Sequence, residues 1–187
     1  MRYVVNFFKR FIGHTKTVIQ HRREVRKLCF KCGLYWQGLT HDLSKFSPTE
    51  FFNGVKYFTG TKSPHMGERA EYGYSKAWLH HKGRNKHHAE YWQDINSKGV
   101  HAPIDMPTKY FVEMMCDRVA ACKIYLKDKY TNESAWNYYK THRDENQFSS
   151  YTMAQLETYL YFMMFEGEEK TFAALKELVE YEKEKAK

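Results

Sequence analysis

Hydrophobic residues recur at intervals of three and four along most of the chain, and the alternation of a half-buried strand appears nowhere over a useful length. Val18, Val25, Leu28, Cys32 and Tyr35 form one stripe, which predicts a long helical region from about Thr15 to Trp36, broken at Gly38. The preceding residues open like a signal peptide, but Lys9 and Arg10 interrupt the apolar run and no small-residue cleavage site follows, so they read as part of an amphipathic first helix. Ser47-Pro48-Thr49-Glu50 spells a helix start: Ser47 as N-cap, Pro48 in the first helical position, Glu50 completing a capping box. Residues 59–68 read as loop from their Gly, Pro, Ser and Thr content.

A helix from Arg69 to Lys82 follows, with Tyr74, Ala77, Trp78 and His81 on one face. Gly83 and Asn85 interrupt it, His87 to Asp94 reads as a short helix, and 96–107 reads as loop. Pro107 to Lys127 is the clearest amphipathic helix, followed by helices over 133–145, 152–166 and a charged one over about 168–187. The stretch 152–166 is apolar around much of its circumference and predicts either a central core helix or a homodimer surface. With no internal repeat or linker, residues 1–187 read as a single all-α domain, a helical bundle.

Composition narrows the class. A hydrophobic content of 42% with 17% aromatic residues excludes disorder, and 4 Pro and 10 Gly exclude collagen-like sequence. At 187 residues the chain buries enough surface to fold without disulfides or a structural metal. No apolar run reaches the roughly 18 residues of a bilayer span, so no transmembrane segment is expected. The cysteines at 29, 32, 116 and 122 fall in helical segments and read as buried reduced thiols, with a cytoplasmic location as the corresponding expectation. Cys29-x-x-Cys32 resembles half a zinc site, but no second half-site has suitable spacing. Thirty Lys and Arg against 22 Asp and Glu give a net charge of +8, which favours anionic partners (nucleotides, nucleic acid, phosphorylated metabolites or a membrane surface) without choosing among them.

Three ionisable residues fall where apolar ones belong. His21 lies between Val18 and Val25 on the first stripe, Asp117 between Met114 and Ala121, and His81 closes the face of Tyr74, Ala77 and Trp78. A lone inward histidine ordinarily hydrogen-bonds a carbonyl. An inward aspartate is strongly disfavoured without a cation or several donors, and Arg118 points in another direction from its neighbour Asp117. His41-Asp42 and the four imidazoles of His80, His81, His87 and His88 add further candidate ligands. His21, His41, Asp42, His81, His87, His88 and Asp117 suffice for one or two divalent transition-metal ions, and imidazole with carboxylate suits Fe, Mn, Co, Ni or Zn better than Ca or Mg. His14, His65, His101 and His142 have no ligand context and read as surface or loop residues.

The order His21, His41-Asp42, His81 with a following His pair, and Asp117 resembles the HD-domain superfamily of metal-dependent phosphohydrolases. The resemblance covers about residues 14–127, the metal-site core, and leaves the C-terminal helices at about 133–187 outside it. Asn85-Lys86-His87-His88-Ala89-Glu90-Tyr91-Trp92 is similar to the N-x-H-H-P-E-Y-W element of an uncharacterised HD-like bacterial family, with Ala89 replacing the proline. In two-metal HD enzymes the intervening histidines stand well separated, whereas His81 and His87 are six apart, so the choice among His80, His81, His87 and His88, and the number of metals, stay open.

The resemblance implies an HD-type bundle that hydrolyses a phosphoester of a nucleotide or other phosphorylated metabolite. His21, His41, Asp42 and Asp117 would hold one metal, and Asp42 would bridge to a second held by His81 and His87 or His88. Asp42 and Lys45, the latter matching an HD-x-x-K pattern, would act in catalysis, Lys45 against phosphate charge. Glu90 is a candidate to orient a ligand imidazole, and Lys82 and Arg84 to bind substrate phosphate. Two alternatives stand beside this reading: a mixed-valent di-iron oxygenase of the HD type, and a non-catalytic helical protein that binds nucleic acid. For the latter, Phe51, Phe52, Tyr57 and Phe58 fall on helical stripes that suit core packing better than base stacking.

Overall fold

The computed structural model describes residues 2–142 and 147–185. They form eight α-helices: α1 (Arg2–Lys31), α2 (Tyr35–Thr40), α3 (Pro48–Lys56), α4 (Pro64–Tyr72), α5 (Lys76–Lys82), α6 (Thr108–Leu126), α7 (Ser134–Thr141) and α8 (Ser150–Lys185). Short 3-10 turns and one small hairpin, β1 (Gln93–Ile95) with β2 (His101–Pro103), complete them. The expected all-α class holds, with this exposed antiparallel hairpin as an addition inside segments read as short helix and loop. Strands of three residues are too short to leave a visible alternation. The last residues of the expected helices over 133–145 and 168–187 lie partly outside the described residues.

Helix α6 is the centre of the fold. It packs against α1 on one side and α8 on the other, and Phe111, Val112, Glu113, Met114, Met115 and Cys116 are all buried in succession. The expected one-sided amphipathic helix is therefore surrounded, because neighbours cover it from opposite directions. Helix α8 has the one-sided character instead. Leu156, Leu160, Met163, Phe172 and Leu175 face the core, while Tyr161 and Phe165 are exposed. Gly167, at φ 86° and ψ 170°, interrupts α8 where the sequence predicts two helices.

The first helix ends earlier than expected. Gly33 adopts φ +70°, and the Leu34 N–H donates to the Cys29 carbonyl at 2.9 Å, the closure of a glycine-terminated helix. Gly38 is not the break but sits buried in α2, where a Cβ would press on the Phe30 ring and Cys29. The expected single helix over 69–82 is two: Gly73, at φ +78°, ends α4, and the Ser75 hydroxyl accepts from the Trp78 N–H to start α5. All four cysteines are buried free thiols. No helix among the described residues is long and apolar enough to cross a membrane.

Candidate metal centre

Five stretches of chain bring the predicted donors together. α1 presents His21 from the stripe that also buries Val18 and Val25, α6 presents Asp117, and α5 presents His81. His41 and Asp42 occupy the corner after α2, where Asp42 adopts φ +53°. Aspartate tolerates this left-handed conformation better than most residues, and here it turns two consecutive side chains inward. His87 and His88 follow α5, where Asn85 ties the turn down by donating to the Ser44 hydroxyl and the His81 carbonyl, both at 2.8 Å.

The donor atoms fall into two groups of four that share Asp42. His21, His41, Asp42 and Asp117 form one, and Asp42, His81, His87 and His88 the other, with the atoms in each within 4.8 Å of one another. His21 Nε2 is 2.9 Å from Asp117 Oδ1, and His41 Nε2 is 3.4 Å from Asp42 Oδ2. Across the shared residue, Asp42 Oδ1 is 3.3 Å from His81 Nε2 and 3.5 Å from His87 Nε2. All seven sequence-predicted ligands therefore meet. His80 does not join them; its Nδ1 donates to Glu50 at 2.6 Å.

Two carboxylates decide the tautomers: Glu50, expected in a capping box, and Glu113, which the sequence pattern did not single out. Glu113 accepts from His41 Nδ1 at 2.9 Å and from His87 Nδ1 at 3.1 Å, and Glu50 accepts from His81 Nδ1 at 2.7 Å. An ionised carboxylate only accepts, so each Nδ1 carries its proton and each ring turns its Nε2 toward Asp42. The Glu50 backbone still caps on Ser47, but its side chain leaves the expected capping box for the histidines. Glu90, the expected orienting residue, makes no such bond among the described contacts; its charge faces Arg118.

Most of the donor atoms that face one another lack a hydrogen-bond partner of their own. The Nε2 atoms of His21, His41, His87 and His88 and Oδ1 of Asp42 are buried with no aligned hydrogen-bond partner. Such groups cost roughly 1–3 kcal/mol each when left unsatisfied. Burial opposes charge on both aspartates, yet the neighbouring His41 and Lys45 hold Asp42, and His21 and His41 hold Asp117, well below the usual carboxylate range. Burial pushes His21 and His88 down, leaving them neutral as ligands must be. Burial opposes charge on His41 too, but Asp42, Asp117 and Glu113 outweigh it and raise its pKa, so the pocket draws positive charge to this point. Nitrogen and oxygen donors in this mixture fit Fe, Mn, Co, Ni or Zn.

The centre floors a cavity of about 210 Å³ whose walls include Val18, Phe58, Trp78, Ile124, Tyr125 and Tyr138. Lys45 lines it with Nζ 3.0 Å from Asp42 Oδ2; burial disfavours its charge, but Asp42 and Asp117 prevail and hold the ammonium above its ordinary pKa. Lys62 also lines the cavity, whereas Lys82 and Arg84 do not, because the turn after α5 sends Arg84 back over the His80 carbonyl. His14 and His65, expected at the surface or in a loop, line it too. Burial, reinforced by Lys45, lowers His14 to about 4, and burial lowers His65 to about 3. His14 stands seven residues before His21 on the same stripe, a signal the periodicity already held. His101 and His142 are exposed, as expected.

The sequence profile of DUF5662, a family of unknown function, matches residues 10–161. The chain belongs to that family. The segment it shares with DUF5662 contains all seven donors together with Glu50, Glu113 and Lys45. No curated protein and no solved structure matches the chain.

Proposed function

We propose that the protein is a metal-dependent phosphohydrolase acting on a phosphoester of a small phosphorylated metabolite or nucleotide. The observation that carries this reading is the pair of four-donor groups sharing Asp42 on the floor of a cavity that also receives two lysines. The order of His21, His41-Asp42, His81 and Asp117, similar to the HD superfamily, supports the same reading. His21, His41, Asp42 and Asp117 would hold one metal ion and Asp42, His81, His87 and His88 a second, and such ions supply Lewis acidity toward water and phosphoryl oxygen.

The chain's own groups do the rest. Lys45 keeps a fixed ammonium beside Asp42, where it can meet phosphoryl oxygen charge without reorganising. Lys62 adds a second positive charge to the same cavity. Glu113 and Glu50 hold His41, His87 and His81 in the orientation that presents Nε2. Phe58, Trp78 and Ile124 give the cavity apolar walls, beside which charge interactions are stronger than in open water.

The test is hydrolysis of a generic phosphodiester and of nucleotides by purified protein supplied with Mn or Fe. Turnover that Asp42→Ala abolishes is the expected result, and turnover retained in that variant refutes the site. Oxygen uptake by iron-loaded protein without phosphate release would instead assign the di-iron oxygenase chemistry.

A further inference from the structure

Helix α1 has a second face that the metal centre does not use. His14, Val18, His21 and Val25 point inward, while Phe8, Ile12 and Ile19 lie outward, with Phe8 58% and Ile12 64% exposed. Lys9, Lys16 and Arg23, spaced by sevens, run as a parallel line one position further round and are exposed. Residues 6–23 contain no Asp or Glu. Exposed apolar residues also lie on the next segment of chain. Arg22 donates from Nε to the His41 carbonyl at 2.7 Å and from Nη2 to the Leu39 carbonyl at 3.1 Å, which fixes the α2 region alongside α1. There Trp36 is 72% exposed, with Leu39 and Leu43 exposed as well.

Exposing this many large apolar side chains beside one another on a monomer is costly and calls for an occupant. A second copy of the chain pairing through this face would offer Lys9, Lys16 and Arg23 no acidic residue between positions 6 and 23. A nucleic acid would use the basic line but has no use for Ile12, Ile19 and Leu39. An anionic bilayer surface uses both: acyl chains receive the aliphatic and aromatic groups, a tryptophan sits at the headgroup boundary, and the lysines meet anionic headgroups. No helix among the described residues is long and apolar enough to cross a membrane, so the docking proposed is along the surface. We propose that the outer face of α1, continued by Trp36 and Leu39, docks on an anionic lipid surface.

Cosedimentation of the full chain with phosphatidylglycerol vesicles and with phosphatidylcholine vesicles tests this. Expected is retention by the anionic vesicles alone, falling as salt rises. Lys9→Gln and Lys16→Gln should each weaken it about fivefold, and Ile12→Ser about tenfold. These side chains are exposed, and an unchanged thermal melt confirms that each variant folds. The proposal is overturned by absent retention on phosphatidylglycerol, by retention unchanged in all three variants, by a dimer in light scattering that Ile12→Ser dissolves, or by capture of a single-stranded oligonucleotide in place of vesicles.

Discussion

His41 and His87 share one acceptor: both Nδ1 atoms donate to the same oxygen of Glu113, at 2.9 and 3.1 Å. His41 belongs to one donor group and His87 to the other, so a single buried carboxylate on α6 orients an imidazole for each. Removing it frees two rings at once. Glu113→Ala should lower metal affinity about 10–100-fold, as loss of an outer orienting carboxylate does elsewhere. Competition against a chelating indicator measures this, and affinity equal to that of the unaltered chain would deny Glu113 the role.

Metal removal should loosen the whole fold, because α1, α5, α6 and the corner after α2 all converge on the donors. Ligand at 100 times its Kd stabilises by about 2.7 kcal/mol, so chelator should lower the melting temperature by several degrees. In Asp42→Ala, which lacks the shared donor, added metal should leave the melt nearly unmoved. Calorimetry with and without chelator compares the two proteins.

Lys45 contacts Asp42 but is not itself a metal donor. Lys45→Met should therefore keep metal stoichiometry while reducing phosphoester turnover about 10²–10³-fold, the usual consequence of deleting one preorganised charge. Elemental analysis beside steady-state rates separates the two effects. A variant that lost its metal together with its turnover would make Lys45 a structural partner of Asp42 instead.

Glu24 on α1 reaches Lys123 on α6 at 3.2 Å, and Lys123 reaches Glu168 on α8 at 2.7 Å, linking three helices. Burial pushes Glu24 up, but the ammonium groups of Lys123 and Lys27 outweigh it and hold its pKa below the ordinary value. A depressed carboxylate contributes stability that is full above its unfolded pKa of about 4.3 and disappears as pH falls through the folded value. Urea unfolding from pH 6 down to pH 3 should show this loss, and Glu24→Gln should remove a contribution of about 1 kcal/mol or less, flattening that part of the curve. An unchanged slope in the variant would show that the link carries no net stability.

Much of the centre was readable because helix periodicity is strict. His21 and Asp117 each replace an apolar residue in a run whose spacing leaves them no outward direction, and that alone demands a compensating charge. Glu113 offered the same signal, embedded between Val112 and Met114 and one helical turn before Asp117, yet a glutamate in a helix ordinarily reads as solvated. Glu50 was hidden differently, since a capping box already explained it. Lys82 and Arg84 had the right charge near the right histidines, but nothing in a sequence reports which way a turn projects.

The chain by itself determined the helical class, the reduced buried thiols and the set of seven candidate donors, because period, composition and ligand chemistry are local properties. Only the tertiary structure decided that these donors form two groups joined at Asp42, that Glu50 and Glu113 fix the tautomers, and that Lys62 rather than Lys82 reaches the cavity. Those outcomes depend on how α1, α5 and α6 approach one another, and the approach is set by packing summed over the whole core, which no single stretch of residues encodes.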